Sequence, residues 1–346
     1  YNTVFGTTTN AYDAALTSGG SSGGAASALA LRMLPVADGS DMMGSLRNPA
    51  AFNNVFGLRP SIGRVPSAPA VDVFTSQLGT PGPMARTVTD MAMLLSVQAG
   101  FDEEVPTSIQ QDPAVFAGSL HQDFKGSHVG WLGDLGGHLE MAPGVMALCT
   151  DALQVLTGLG CSVEAVSPAF SMPRLWEAWL VLRQWQIAAG PAGVLYQTDK
   201  GRGKLKPEAI WEVEQGLRLT AMEVQKAIAT RSAWYQAVRG LFRSCDYLVL
   251  PSAQVFAFDA QTHWPSSINH KPMDTYHRWM EVVVPGTMSG CPVAGVPVGF
   301  NASGLAMGMQ IIGKAQADLA VLQLAFAYEQ ATQWVDRFPP PRLCRP

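Results

Sequence analysis

The chain has 346 residues, enough for one large domain or two medium ones, and 47% of them are hydrophobic, ample for a buried core. Charged residues make up 14%, with 27 acidic against 23 basic and a formal net charge of −4, so there is no basic excess to recruit nucleic acid electrostatically. No apolar run reaches the roughly eighteen residues of a membrane span, the start lacks the features of a signal peptide, and the balance fits a cytoplasmic protein.

In chain order, the first elements surround two serines. Gly19-Gly20-Ser21-Ser22-Gly23-Gly24 precedes the helix-forming AASALALRM, and Gly44 precedes SLRNPAAF, which puts Ser21 and Ser45 in separate glycine-bearing turns 24 positions apart. Both turns feed helix N-termini, which offer unpaired N–H groups and partial positive charge. A hydroxyl nucleophile beside such donors has a place for the negative charge of a tetrahedral intermediate, so the pattern points to acyl transfer using two serines. Three other readings compete. A flexible Gly/Ser linker should join two domains, yet only 18 residues precede Gly19. A phosphate loop should end in Gly-Lys-Ser/Thr, and no lysine is here. The G-x-S-x-G elbow of an α/β-hydrolase-type serine esterase is matched by Gly19 to Gly23, but it should cap a buried strand, and NAYDAALTS has no β-branched or bulky apolar run.

Further along, residues 87–99 read as an amphipathic helix with Thr87 or Thr89 as N-cap. Residues 128–132 suggest a strand, 143–158 a helix and 161–166 a strand, a β-α-β alternation typical of an α/β sheet. Residues 172–190 and 207–242 have a helical pattern, separated by GRGKLKP as a solvated loop. Trp176, Trp179 and Trp185 stand at core-like spacing in the first of these segments. Residues 246–251 form a buried strand, 259–272 a long loop, 293–300 and 307–312 two strands closing on the Asn301–Gly304 turn, and 318–332 the last helix. Five cysteines without C-x-x-C spacing imply neither a disulfide framework nor a zinc site. Cys149, Cys161 and Cys245 read as small buried side chains, and Cys291 as one that could line a pocket. No His, Asp and Glu cluster has ligand spacing, so no metal and no cofactor are expected.

The block GGSSGG, its alanine-rich helix, GSDMMGSLRNPAAF and FGLRPSIGRVP resembles the amidase signature family, and the likeness continues through CDYLVLPSAQ and GTMSGCPVAGVPVGFNASGLAMGMQIIG. The resemblance covers nearly the whole chain and is nearest in flavour to a stand-alone amidase. It implies an α/β/α layered fold with a mixed central sheet flanked by helices. The implied organisation is a single domain over 1–346, with 1–100 as the Ser/Gly-rich catalytic core and 101–346 as remaining sheet, pocket helices and closing strands. It also implies that Ser45 is the nucleophile and Ser21 the bridging serine, preceded by a cis peptide bond. The backbone of Met42, Met43, Gly44 and Ser45 becomes the oxyanion hole, Asp41 and Arg47 brace the turn, and Ser22 supports the base. The substrate class is a linear carboxamide, with an aryl or hydrophobic acyl group favoured by Met42, Met43 and the tryptophan-bearing helix. Homodimerisation is the family expectation, with neither nucleic acid nor membrane as partner.

Two departures from the family pattern bear on mechanism. Met43 stands where the family often has glycine, so its side chain must point away from the peptide path or narrow it. The family's lysine base lies upstream of the bridging serine, whereas the first lysine here is Lys125 and the first histidine His121. The chain begins at Tyr1 in a stretch resembling the middle of a family member, so an N-terminal portion carrying the lysine is expected to be missing, cleaved or on a separate chain. Lys125, Lys271, Lys314, His263, His270 and His277 are the substitutes within the sequence. If none serves, the alternative is an inactive or partner-dependent component of amidotransferase type, against which the lack of basic excess weighs.

Overall fold

A computed structural model describes residues 4–344. The chain forms two compact units, Tyr1–Ser167 with Leu241–Pro346, and Pro168–Gly240. In the first unit the strands β1 (Val36–Asp41), β2 (Phe56–Arg59), β3 (Thr80–Ala85), β4 (His128–Trp131), β5 (Ser162–Ala165) and β6 (Tyr247–Pro251) are joined by β9 (Val293–Phe300) and β10 (Ala306–Ile312). A separate small hairpin, β7 (Ser267–Ile268) with β8 (Lys271–Pro272), lies within the expected long loop. The main sheet has eight strands in the order β1-β3-β2-β9-β10-β6-β4-β5. Pairs from β1 to β6 are antiparallel, while β6 with β4 and β4 with β5 are parallel, which gives the mixed sheet.

Its helices are α1 (Gly23–Ala30), α2 (Arg47–Phe52), α3 (Val88–Gln98) and α4 (Val145–Gly158), followed later in the chain by α10 (Val284–Ser289), α11 (Asp318–Thr332) and α12 (Trp334–Arg337). Thr87 caps α3, its hydroxyl accepting from Asp90 N–H. Helices α1 and α2 pack together, and α11 packs with α3 and α4; α2, α4 and α11 all lie on β9. The close seat of α2 depends on Gly308 in β10, where a Cβ would come 2.8 Å from the Ala51 Cβ. Leu46, Ala50, Val55 and Met84 share a fully buried cluster with Ala11, Ala26, Leu29 and Ala30, so one apolar core supports both serine turns.

The second unit is helical: α5 (Met172–Ala189), α6 (Pro191–Tyr196), α7 (Asp199–Arg202), α8 (Pro207–Gly216) and α9 (Ala221–Leu241). Trp176 and Trp179 are buried with their rings stacked at 5.2 Å, and Arg183 of α5 pairs with Glu212 of α8. Two expectations are corrected here. The helical pattern over 207–242 is two helices, because Thr220 and Glu223 form a capping box that starts a new one: Glu223 N–H donates to Thr220 Oγ1 at 3.3 Å and Thr220 N–H to Glu223 Oε2 at 2.8 Å. The GRGKLKP stretch is not wholly loop, since its first residues complete α7, which Thr198 caps.

Strands β1, β2 and β3 are absent from the sequence reading. VADGSD and TPGPMA lack alternating bulky residues, and Pro81 and Pro83 are usually a signal against a strand. Being two residues apart, they place both missing N–H groups on one edge of β3, and the ladder to β1 persists from Val36–Ala85 to Asp41–Thr80. Pro297 is tolerated in β9 for a related reason: β2 pairs with β9 only at Val293, Ala294 and Gly295.

Candidate active site

The site is assembled at the two ends of α2. At its N-terminal end the chain leaves β1 at Asp41, turns through Met42, Met43, Gly44 and Ser45, and enters the helix at Arg47. Gly44 has φ +76°, and a Cβ there would run into Asn48 Oδ1 and lie 2.8 Å from Val283 Cγ1, so this position requires glycine. Asp41 closes the turn. Its Oδ1 accepts from Gly44 N–H at 2.8 Å and its Oδ2 from Leu46 N–H at 3.2 Å.

Arg47 then binds the same carboxylate through Nε at 2.9 Å and Nη2 at 2.7 Å, and all of these side chains are fully buried. The guanidinium also donates to the Val283 carbonyl at 3.0 Å, to Thr287 Oγ1 at 2.8 Å and to Gln310 Oε1 at 2.5 Å. Arg59 donates to the Asp41 backbone carbonyl. Burial alone pushes the Asp41 carboxyl up, but the Arg47 and Arg59 guanidiniums and the Gly44 N–H outweigh it and bring it down to about 2. The carboxylate is therefore a permanent anion that fixes the turn.

The first serine turn meets the second directly, Ser22 N–H donating to the Ser45 carbonyl at 3.2 Å. The Gly20–Ser21 peptide is cis. Ser45 is half-buried and Ser21 exposed, while Ser22 begins α1, its carbonyl accepting from Ala26 N–H at 3.1 Å. Met43 points its side chain into the core at 4% exposure, which clears the peptide path, and Met42 is half-buried with its Cε near Gly79. Gly44, expected among the oxyanion donors, gives its N–H to Asp41 instead. Among the described residues the Met43 and Ser45 N–H groups have no hydrogen bond.

No lysine or histidine hydrogen-bonds to either serine among the described residues. Lys314 pairs with Asp246 at 2.9 Å, and Lys271 donates to the His138 carbonyl at 3.3 Å. Cys291 is buried, and burial raises its thiol to about 11, which disfavours the thiolate. No group of three or more His, Cys, Asp and Glu suited to a metal occurs among the described residues. Nor is any of their helices long and apolar enough to cross a membrane.

Sequence reading missed Gln310, Ser18, Ser27 and Asn53, whose side chains hold the turns from behind. Gln310 is fully buried in β10, accepting from Arg47 and donating to the Pro251 and Val282 carbonyls at 2.8 and 3.1 Å. A lone glutamine inside the apolar run MGMQII was the available signal, since a buried polar side chain must find partners.

The Amidase family profile matches residues 1–322. An acylamidase from Rhodococcus erythropolis is 31% identical over 346 aligned positions, covering 98% of this chain and 70% of the relative. The A subunit of a glutamyl-tRNA(Gln) amidotransferase from Dehalococcoides mccartyi is 32% identical, covering 96% of this chain and 71% of the relative. Among solved structures, a bacterial aryl acylamidase of the amidase signature family superposes with a TM-score of 0.90 at 30% identity, over all of this chain and 72% of its own. With the mixed sheet and the two serine turns that α2 joins, these likenesses settle the family: the chain belongs to the amidase signature enzymes, which hydrolyse amides.

Proposed function

We propose that the protein hydrolyses a linear carboxamide with an aryl or hydrophobic acyl part, through Ser45 as nucleophile and Ser21 as proton relay. The observation that carries this reading is the Ser22 N–H to Ser45 carbonyl bond at 3.2 Å, which puts the two serine turns side by side. The uncommitted Met43 and Ser45 N–H groups lie on the turn that presents the nucleophile, and the names of the acylamidase relatives favour the substrate class.

In this mechanism Ser45 Oγ attacks the amide carbon while its proton passes through Ser21 to a neutral amine. The carbonyl oxygen gains a negative charge and is met by the Met43 and Ser45 N–H donors. The C–N bond then breaks, and the leaving nitrogen takes a proton returned through Ser21. Water, deprotonated along the same relay, attacks the Ser45 ester and releases the carboxylic acid. The base in this reading is the lysine that the family resemblance implies upstream of the relay serine; among the described residues no lysine or histidine bonds to either serine. Lysine suits the role because a buried ammonium loses its proton readily.

The test is labelling with a serine-directed fluorophosphonate, peptide mapping, and assay of the Ser45→Ala protein on an anilide. Labelling at Ser45 and loss of turnover by about a thousandfold or more are expected; normal turnover by Ser45→Ala would end this reading. The amidotransferase relatives, equally similar, favour a second reading in which the chain works only within a complex. Anilide hydrolysis by the purified protein alone decides against it.

A further inference from the structure

Behind the first serine turn lies a closed polar network that the two-serine mechanism does not use. Asn53 is fully buried at the C-terminal end of α2. Its Nδ2 donates to the Ser18 carbonyl at 2.9 Å, to Ser18 Oγ at 3.1 Å and to the Pro49 carbonyl at 2.9 Å. Its Oδ1 accepts from Ala11 N–H at 3.1 Å and lies 3.3 Å from Ser27 Oγ. Ser18, also fully buried, spans the turn itself, its Oγ donating to the Gly23 carbonyl at 2.7 Å and lying 2.8 Å from Ser27 Oγ. Ser27 in turn donates to the Thr9 carbonyl at 2.8 Å. The segment from Gly19 to Ser22, which carries Ser21, is therefore staked at both ends by Ser18 and tied through Asn53 to the helix that presents Ser45.

We infer that Asn53, acting through Ser18, is a positioning residue that sets the Ser21 hydroxyl at relay distance from Ser45. The inference rests on the reading of Ser45 as nucleophile and Ser21 as relay. A side chain serving fold stability alone needs no such connection. Here three carbonyl or hydroxyl acceptors converge on one amide, and two of them belong to the residue that brackets the relay turn. Asn53 touches neither substrate nor nucleophile, so its effect passes through the placement of Ser21.

The relay's demand differs between substrates. An amine leaves a tetrahedral intermediate only with a proton delivered to nitrogen, whereas p-nitrophenolate leaves unprotonated. A displaced Ser21 should therefore slow amide cleavage more than cleavage of an activated ester of the same acyl group. The ratio of the two rates cancels the fraction of folded enzyme, which a purely structural role would lower equally for both.

The experiment compares a p-nitroanilide with the matching p-nitrophenyl ester in the full protein, in Asn53→Asp and in Ser18→Ala. Asn53→Asp keeps the size and removes both donors; Ser18→Ala removes the Gly23 bond with a smaller change. The expected result is an amide-to-ester kcat ratio about tenfold lower in Asn53→Asp and about threefold lower in Ser18→Ala, with KM within about twofold. An unchanged ratio in either variant, at whatever total activity, overturns the positioning role while the Ser45 mechanism stands. If instead the unsubstituted protein neither labels at Ser45 nor turns over amide, the parent reading fails and this inference falls with it.

Discussion

Ser45 sits on a turn that one carboxylate holds at both ends, Asp41 accepting from the Gly44 and Leu46 N–H groups. Replacing Arg47 by Met strands the buried Asp41 charge beside Arg59 alone, and a loss of about 3–5 kcal/mol of stability is expected in denaturant titration. Gly44→Ala meets both an unfavourable φ and the Asn48 amide, so it should cost on the order of 2 kcal/mol and depress kcat, read by thermal melts and anilide assay. Acid stability belongs to the same residue. The ordinary Asp41 value of 3.8 falls to about 2 in the fold, so the stability it contributes is complete above pH 3.8 and is lost as pH falls through about 2. That shift corresponds to about 2 kcal/mol. Asp41→Asn, although less stable at neutral pH, should show a flatter fall in melting temperature between about pH 4 and about pH 2.

At the level of elements, α3 is capped twice, by Thr87 and by a side chain from another helix. Glu329 of α11 accepts the Val88 N–H at 2.9 Å, and burial, helped by Asp336 and Asp90, raises its carboxyl to about 7 against that bond. Because the folded state holds this proton more tightly than the unfolded chain, with its ordinary value of 4.5, stability falls as pH rises from about 4.5 to about 7. Glu329→Gln keeps an acceptor for Val88 and removes the charge. It should raise stability at about pH 8 by on the order of 3 kcal/mol and leave it nearly unchanged at about pH 4, a pair of melts that checks the sign. Legibility in the sequence followed the source of each element's order. Helix α3 announces itself through Thr87 and its apolar face, β9 and β10 through long apolar runs, and α11 through its period, all local signals. Strands β1 and β3 hold their shape through neighbours distant in the chain, and nothing in VADGSD or TPGPMA encodes that locally. The site divides in the same way. Ser21, Ser45, Asp41 and Arg47 sit in compact motifs and could be named, whereas Asn53 and Gln310 take their meaning from partners 35 and 263 positions away.

Across the whole molecule, the five thiols are all free; Cys149, Cys161, Cys245 and Cys291 are buried and Cys344 is exposed. Burial raises the Cys161 thiol to about 11, as it does that of Cys291. Under native conditions iodoacetamide should therefore modify Cys344 alone, with the other four reacting only after denaturation, as intact mass will read. The sheet order carries a last consequence. Its centre is built from β9 and β10, late in the chain, while Arg47 and β2 come early. On the ribosome, the Ser45 turn thus emerges with its guanidinium clamp half-made. It waits for 263 further residues before Gln310 arrives, an interval of roughly 10–50 s at ordinary elongation rates. Throughout that interval a growing chain carries Ser45 without the buried frame that holds its turn, so the turn is fully braced only once β10 has been made.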